Sequence, residues 1–188
     1  MIKLPDNFEI DKYGLHARFV REEDAEFIVR IRTNVNLSRY IHKIDADVEK
    51  QRQWIRTYKA REHAGVDYYF IFFYNGKPVG LNRIYDIRED GTFICGSFVF
   101  DSPDYKMASF ASWIIVREIA FEVLGLRLQD DYIGTHKDNR SVLTIQKMMG
   151  SKQYGEREDE NGTYIISRLT KEDFYANKAK IEHMLPKN

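Results

Sequence analysis

The sequence predicts an α/β (α+β) domain whose central sheet is mixed but mostly antiparallel, with about six to seven strands. Three observations carry that expectation. Strand-like segments on either side of Asn75-Gly76 and of Asn161-Gly162 read as hairpins. Between them, Ser109 to Leu124 is apolar almost all round and reads as a buried helix that stops at Gly125. The segment LQDDYIGTH then reads as another strand, and a strand–helix–strand crossover implies locally parallel pairing.

In chain order, Leu15 to Val20 reads as a short opening strand. An acidic turn (Glu22, Glu23, Asp24) then starts a helix with apolar spacing at Phe27, Ile28 and Ile31. Thr33 to Ile44 lacks periodicity and reads as a loop of the kind that carries binding residues. Asp45 or Asp47 caps a second helix, with Val48, Gln51, Trp54, Ile55 and Tyr58 on one face and an end near Gly65. The first hairpin follows from Asp67, and a turn at Glu89-Asp90-Gly91 adds TFICGSFVF, giving three consecutive antiparallel strands. After the crossover, Asp138 caps a short helix (Val142, Ile145, Met148, Met149) that ends at Gly150. The second hairpin leads to Thr170, which with Asp173 starts a terminal amphipathic helix through Phe174, Ile181 and Leu185.

Composition bounds the function. The chain has 188 residues, 43% hydrophobic and 31% charged, with no repeat or linker, so 1–188 reads as one domain. Twenty-nine basic residues balance twenty-nine acidic ones, which argues against non-specific nucleic-acid binding. No apolar run approaches the roughly 20 residues needed to span a bilayer, and MIKLPDNFEI lacks a signal core, so the expected location is cytoplasmic with no membrane partner. The single cysteine, Cys95, reads as a buried small residue. The five histidines show no ligand spacing, and no metal is expected.

The order of elements, together with GLHARFVREEDAEFIVRIRTN, EKQRQWIRTY, YFIFFYNGKPVGLNRIY, REIAFEVLGL and HKDNRSVLTIQKMMGSKQYGE, resembles the GNAT superfamily of acyl-CoA-dependent N-acetyltransferases over nearly the whole chain. It is most similar to the branch holding ribosomal-protein N-terminal acetyltransferases and bacterial amino-sugar acetyltransferases, where an Asp-Asn pair precedes the short helix and Lys-x-x-Gly ends it. Asp138-Asn139 and Lys147 with Gly150 match. The resemblance implies helices on both faces of the sheet and acetyl-CoA as acyl donor. It places the donor at the strand-to-helix junction, where a helix N-terminus suits a pyrophosphate. Backbone groups of Phe98, Val99 and Phe100 would meet the pantetheine, Lys106, Met107, Ala108 and Ser109 the phosphates, and Asn139 the pantetheine or its neighbouring backbone. This chain departs from the family in having no glycine between Asp104 and Ser109.

Amine acetylation needs a neutral amine, an oxyanion stabiliser and an acid for the departing thiolate. Many family members place a tyrosine acid where this chain has Gln146. By topology the nearest catalytic candidates are Ser97, beside Gly96, and His136, at a strand end. The acceptor site implied by the resemblance draws on Arg32, Asn34, Tyr40, Arg83 and Tyr85, which could bind phosphate and stack on a ring. Each of these residues also has a plain structural reading as core, cap, loop or solvated rim. The implied function is acetyl transfer to a primary amine, with a nucleotide-linked amino sugar ahead of a protein N-terminus, and an acyl-CoA-binding protein without turnover as the alternative from another class. A homodimer is among the assemblies open to it.

Overall fold

The computed structural model describes residues 2–186. Its eight strands lie in one sheet of order β1-β2-β3-β4-β5-β6-β8-β7. These are β1 (Glu9–Lys12), β2 (Leu15–Phe19), β3 (Tyr68–Tyr74), β4 (Lys77–Tyr85), β5 (Thr92–Phe100), β6 (Leu128–His136), β7 (Lys152–Asp159) and β8 (Gly162–Thr170). The helices are α1 (Ala25–Thr33), α2 (Val48–Ala64), α3 (Ala108–Glu118), α4 (Arg140–Met148) and α5 (Lys171–Ile181). Every neighbouring pair runs antiparallel except β5 with β6, as the crossover through α3 requires.

The strand count exceeds the six to seven expected because the sheet opens with a hairpin, not a single strand. Tyr13 and Gly14 both take positive φ, at 52° and 75°, and form the two-residue turn between β1 and β2. A tyrosine in the left-handed region hides the turn from sequence patterning. The second Asn-Gly hairpin is shifted by one residue: Asp159 pairs with Gly162, so Glu160 and Asn161 make the turn. At Asn75-Gly76 the torsions, 49° and 74°, are those the dipeptide favours.

Helices cover both faces of the sheet. Tyr69, Ile71, Leu81 and Val99 point to α1 and α2, where they meet Ile28, Ile31, Ile55 and Tyr58. Phe70, Phe72, Ile84 and Phe93 point the other way, against Trp113 and Ile114 of α3 and Phe174 of α5. Asp47, not Asp45, caps α2 by accepting from the Lys50 N–H at 3.0 Å, and Asn139, not Asp138, caps α4 by accepting from Val142. Thr170 caps α5 as expected, through Asp173 N–H at 3.1 Å. Past Glu118, α3 continues as a turn of π-helix over Ile119–Val123 and stops at Gly125, whose φ is 67°. Among the described residues no helix is long and apolar enough to cross a membrane.

Two buried polar knots lock this arrangement. Glu118, inside α3, receives the Tyr13 hydroxyl at 2.9 Å, Lys12 at 2.9 Å and Lys178 of α5 at 2.7 Å. Burial and the Glu118 carboxylate push the Tyr13 hydroxyl up to about 12. On the opposite face Tyr58 donates to Glu62 at 2.6 Å and accepts the Tyr69 backbone N–H at 2.7 Å. Tyr58→Phe strands the Tyr69 N–H in the core, whereas Glu62 keeps Lys59 as a partner at 2.8 Å. The expected cost is about 1–3 kcal/mol, seen as a lower urea midpoint at unchanged m value, because a buried N–H without a partner carries its full desolvation cost.

Candidate active site

β5 and β6 are in register at only two positions, Thr92 with Leu128 and Phe93 with Gln129. Beyond them the strands part, and from Ile94 onward β5 pairs with β4 alone. One edge of its backbone therefore faces a cleft instead of a neighbouring strand. Irregularities on both strands sharpen the parting. Asn82 of β4 stands opposite the extra residue of a bulge in β5, where Ser97 adopts a φ of 51°. In β6 the register with β8 breaks between Asp131 and Thr135, around Gly134 at φ 87°.

The floor of the cleft is polar. Arg117 of α3 is 3% exposed, lies 3.8 Å over the Trp113 ring and donates to Gln129 at 2.9 Å. Burial lowers its guanidinium pKa, while the nearby Asp131 opposes that shift. Asp131 is raised by burial, against hydrogen bonds from the Gly134 N–H, the Thr135 hydroxyl and the Gln146 amide. Gln146 also donates to Thr135 at 3.0 Å and so ties α4 to β6. Cys95 is half-buried on β5, and burial pushes its thiol up to about 11.

Above the bulge, on the α1/α2 face, Tyr69, Arg83 and Gly96 form one row across β3, β4 and β5. The bulge turns Ser97 toward Tyr69. The Arg83 guanidinium lies 4.9 Å from the Tyr85 ring centre and 5.3 Å from that of Trp54. Its Nε and Nη2 are both held by Asp67, which also takes Arg61 Nε at 2.9 Å. Arg32 approaches Tyr69 from the end of α1, donates to the His42 carbonyl through Nη2 and has a buried Nε without a partner. Arg61 and Arg83 thus share the Asp67 carboxylate, and Arg32 comes to Tyr69 with no acid partner among the described residues, so the cations around these rings outnumber Asp67 by two.

The structure brings Arg32, Arg83, Tyr85 and Ser97 to this row. Tyr40 lies elsewhere, stacked on His136 at 5.0 Å. Asn34 is exposed and organises its own loop, accepting from Asn36 N–H, Leu37 N–H and Ser38. His136 has both ring nitrogens engaged. Nδ1 accepts from Asp138 N–H at 3.1 Å, and Nε2 faces the Asn161 carbonyl at 3.1 Å, which requires the proton on Nε2. This geometry opposes a base role for His136. Arg83 likewise differs from the open phosphate ligand expected of it, since Asp67 already occupies two of its nitrogens. Neither Tyr69 nor Asp67 stands out in the sequence: one reads as a core aromatic and the other as a strand start.

The junction that begins α3 is also defined. Met107 is its N-cap and offers no side-chain acceptor; the Ala108 N–H donates to the Tyr105 carbonyl at 3.0 Å, so the N–H groups that an anion could meet are those of Ser109 and Phe110. Lys106 is exposed beside it, Ser109 half-buried and Ala108 buried. Tyr105 anchors the loop by donating to the Tyr13 carbonyl at 2.9 Å and packing on Tyr74. Phe98 and Phe100 turn their rings toward the α3 core, while Val99 faces α1 and α2. Asn139 spends its side chain on the α4 cap.

No family model and no curated protein sequence matches the chain. Solved structures do. Apo FdhC, described as a nucleotide-linked sugar GNAT, is 32% identical over 96% of this chain and 99% of its own, with a TM-score of 0.81. RimJ of Mycobacterium smegmatis, in complex with CoA-disulfide, is 14% identical over 94% of each chain at a TM-score of 0.75. A ribosomal-protein-S5-alanine acetyltransferase from Vibrio fischeri is 14% identical over 89% of this chain and 99% of its own, at 0.73. These last two share the fold.

The thiol of Cys95 reports on the cleft floor. A rise from 9.0 to about 11 cuts the thiolate population at pH 8 about 100-fold, and the thiolate is the reactive form. Iodoacetamide should therefore alkylate Cys95 about 100-fold more slowly in the folded protein than in urea. Equal rates, followed by mass spectrometry, would place the thiol in bulk solvent.

Proposed function

The chain belongs to the GNAT superfamily of acyl-CoA-dependent N-acyltransferases, and from that premise we propose that it moves an acetyl group from acetyl-CoA to the primary amine of a nucleotide-linked amino sugar. The observation that carries the reading is the row of Tyr69, Arg83 and Gly96, which runs across three strands into the place where β5 leaves β6. Two surplus positive charges among Trp54, Tyr69 and Tyr85 suit an acceptor with phosphates and a flat ring. The relative with 32% identity is itself described as acting with nucleotide-linked sugars, which supports the same acceptor class.

In this reading acetyl-CoA enters the cleft along β5. Its pantetheine pairs with the unmatched backbone edge at Phe98, Val99 and Phe100, as an added strand would. Its phosphates meet the open N–H groups at Ser109 and the start of α3, with Lys106 beside them. Met107 and Ala108 shape the loop, and buried Ala108 lets the backbone come close without a glycine. Asn139 fixes the start of α4 on the far side of the cleft. The acceptor lies over the row, its phosphates toward Arg32 and the remaining nitrogen of Arg83, its rings against Tyr85 and Trp54. Asn34 and Tyr40 shape the rim of the acceptor side, Tyr40 through its stack on His136. Ser97 stands on the bulge where the thioester carbonyl would arrive.

Thiol release from acetyl-CoA across a panel of nucleotide amino sugars and short peptides tests this directly. Turnover with the sugars is expected; turnover with peptides alone would transfer the chain to the protein N-terminal class. Acetyl-CoA by itself should raise the melting temperature, because a ligand that binds only the folded state stabilises it. Arg83→Ala should raise the acceptor KM at least tenfold while leaving the acetyl-CoA KM within about twofold. A parallel rise in both constants would mean that Arg83 supports the fold and not the acceptor.

A further inference from the structure

Aminolysis of a thioester ends with a sulfur leaving group that must take up a proton. Three neighbouring positions do not offer a proton to the cleft. Gln146 holds Thr135 and Asp131, His136 is bonded through both ring nitrogens, and the Tyr69 hydroxyl is sealed from solvent. Tyr85 differs from all of them. Its hydroxyl makes no hydrogen bond among the described residues, yet it is not among the sealed polar atoms. It also lies across β5: a β-carbon on Gly96 would sit 2.9 Å from its ring edge and 3.1 Å from its hydroxyl oxygen. Glycine at 96 is what lets the ring lie there. The phenol thus stands beside the bulge at Ser97, on the face that carries Arg83 and at the mouth of the cleft.

Resting on the N-acyltransferase reading of this cleft, we infer that Tyr85 is the catalytic acid, the phenol that protonates the departing thiolate. In the step, the amine nitrogen bonds to the carbonyl carbon and the carbon–sulfur bond breaks with its electron pair moving to sulfur. The Tyr85 proton passes to that sulfur. The phenolate then recovers a proton from the nitrogen that has become positively charged, so tyrosine ends as it began and the products are amide and free thiol. The surroundings suit both halves of the cycle. Burial and the nearby Asp131 hold the Tyr85 hydroxyl above its ordinary value, keeping the acid protonated at neutral pH. The Arg83 guanidinium, 4.9 Å from the ring centre, opposes that shift and stabilises the phenolate while it exists. Tyr85 therefore takes the acid's part from the opposite wall of the cleft to α4, where Gln146 stands.

The test is Tyr85→Phe in the full chain, which removes one oxygen and keeps the ring over Gly96. Thiol release from acetyl-CoA is followed with the best acceptor of the panel and, separately, with water as the only acceptor. The variant should lose about 100-fold in kcat, the lower range for a positioned acid. Both KM values should stay within about threefold, and the thermal shift with acetyl-CoA should be unchanged. Slow hydrolysis should fall by a similar factor, because the leaving group is the same whatever attacks. A kcat within threefold of the unsubstituted chain, or a change confined to the acceptor KM, overturns the assignment. If no amine acceptor turns over, the acceptor reading fails by itself, and the hydrolysis comparison still decides Tyr85: equal rates reject it and a matched loss supports it. Gly96→Ala gives a second handle. Its methyl group displaces the ring, so kcat should fall as in Tyr85→Phe, and full activity would reject the placement.

Discussion

The feature on which the rest of the molecule depends is the short parallel pairing of β5 with β6. Two registered positions join the halves of the sheet, and beyond them the facing edges of β5 and β6 no longer pair with each other. An unmatched strand edge in a protein interior is costly unless something bonds to it, and exposed edges are normally blunted or covered. Here neither happens: the sheet continues on both sides while the gap stays open. The parting is built from both strands. Ser97 accepts a left-handed torsion that disfavours a residue with a β-carbon, and Gly134 supplies the complementary bend in β6. Arg117 fills the base of the wedge, flat on Trp113 and bonded to Gln129, the last registered residue of β6. A buried guanidinium there costs desolvation, and its retention fits a gap that must not close with apolar packing.

A cleft of this kind is useful only if its walls are stiff, and two polar knots supply the stiffness. Glu118 ties the β1–β2 turn, α3 and α5 together through Lys12, Tyr13 and Lys178, so α3 is held in place along the sheet. On the opposite face Tyr58 and Glu62 fix the backbone of Tyr69, and Asp67 fixes Arg83 and Arg61. The second knot bears on the recognition proposed above. A guanidinium already oriented by a carboxylate loses less freedom when it meets a phosphate, although it offers fewer open nitrogens.

Much of this was legible in the residues, for physical reasons that differ from element to element. The hairpin at Asn75-Gly76, the buried helix from Ser109 and the caps at Asp47 and Thr170 each rest on local chemistry that the surroundings do not override. The turn at Tyr13-Gly14 was hidden because tertiary contacts, the Tyr13 bond to Glu118 among them, impose the torsion on a residue that does not favour it. The second hairpin slipped one residue because Gly162 takes its positive φ, 132°, inside the strand and not in the turn. Of the candidate site, Arg32, Arg83 and Tyr85 were reachable through the family resemblance, and Ser97 through its place beside Gly96 on the central strand. Tyr69 and Asp67 were not, since a strand reading YYFIFFY gives no sign of which hydroxyl will face a cation. The engagement of His136 by Asn161 depends on a contact between residues 25 apart, which no local rule can supply.

The charge of the chain shows the same separation of scales. Twenty-nine cations balance twenty-nine anions, and a polyanion at a distance meets no net field. Within the row beside the cleft the balance fails locally, with three guanidinium groups against Asp67. Screening in saline water removes interactions between exposed charges beyond about 8–10 Å, but it acts much less on groups as enclosed as Arg83 and Asp67, whose side chains are 18% and 4% exposed. An acceptor bearing phosphates would therefore feel this surplus only after entering the site. Selection by such a cluster depends on shape first and charge second, which suits a small ligand held beside a bulged strand better than a long polyanion sampling the surface.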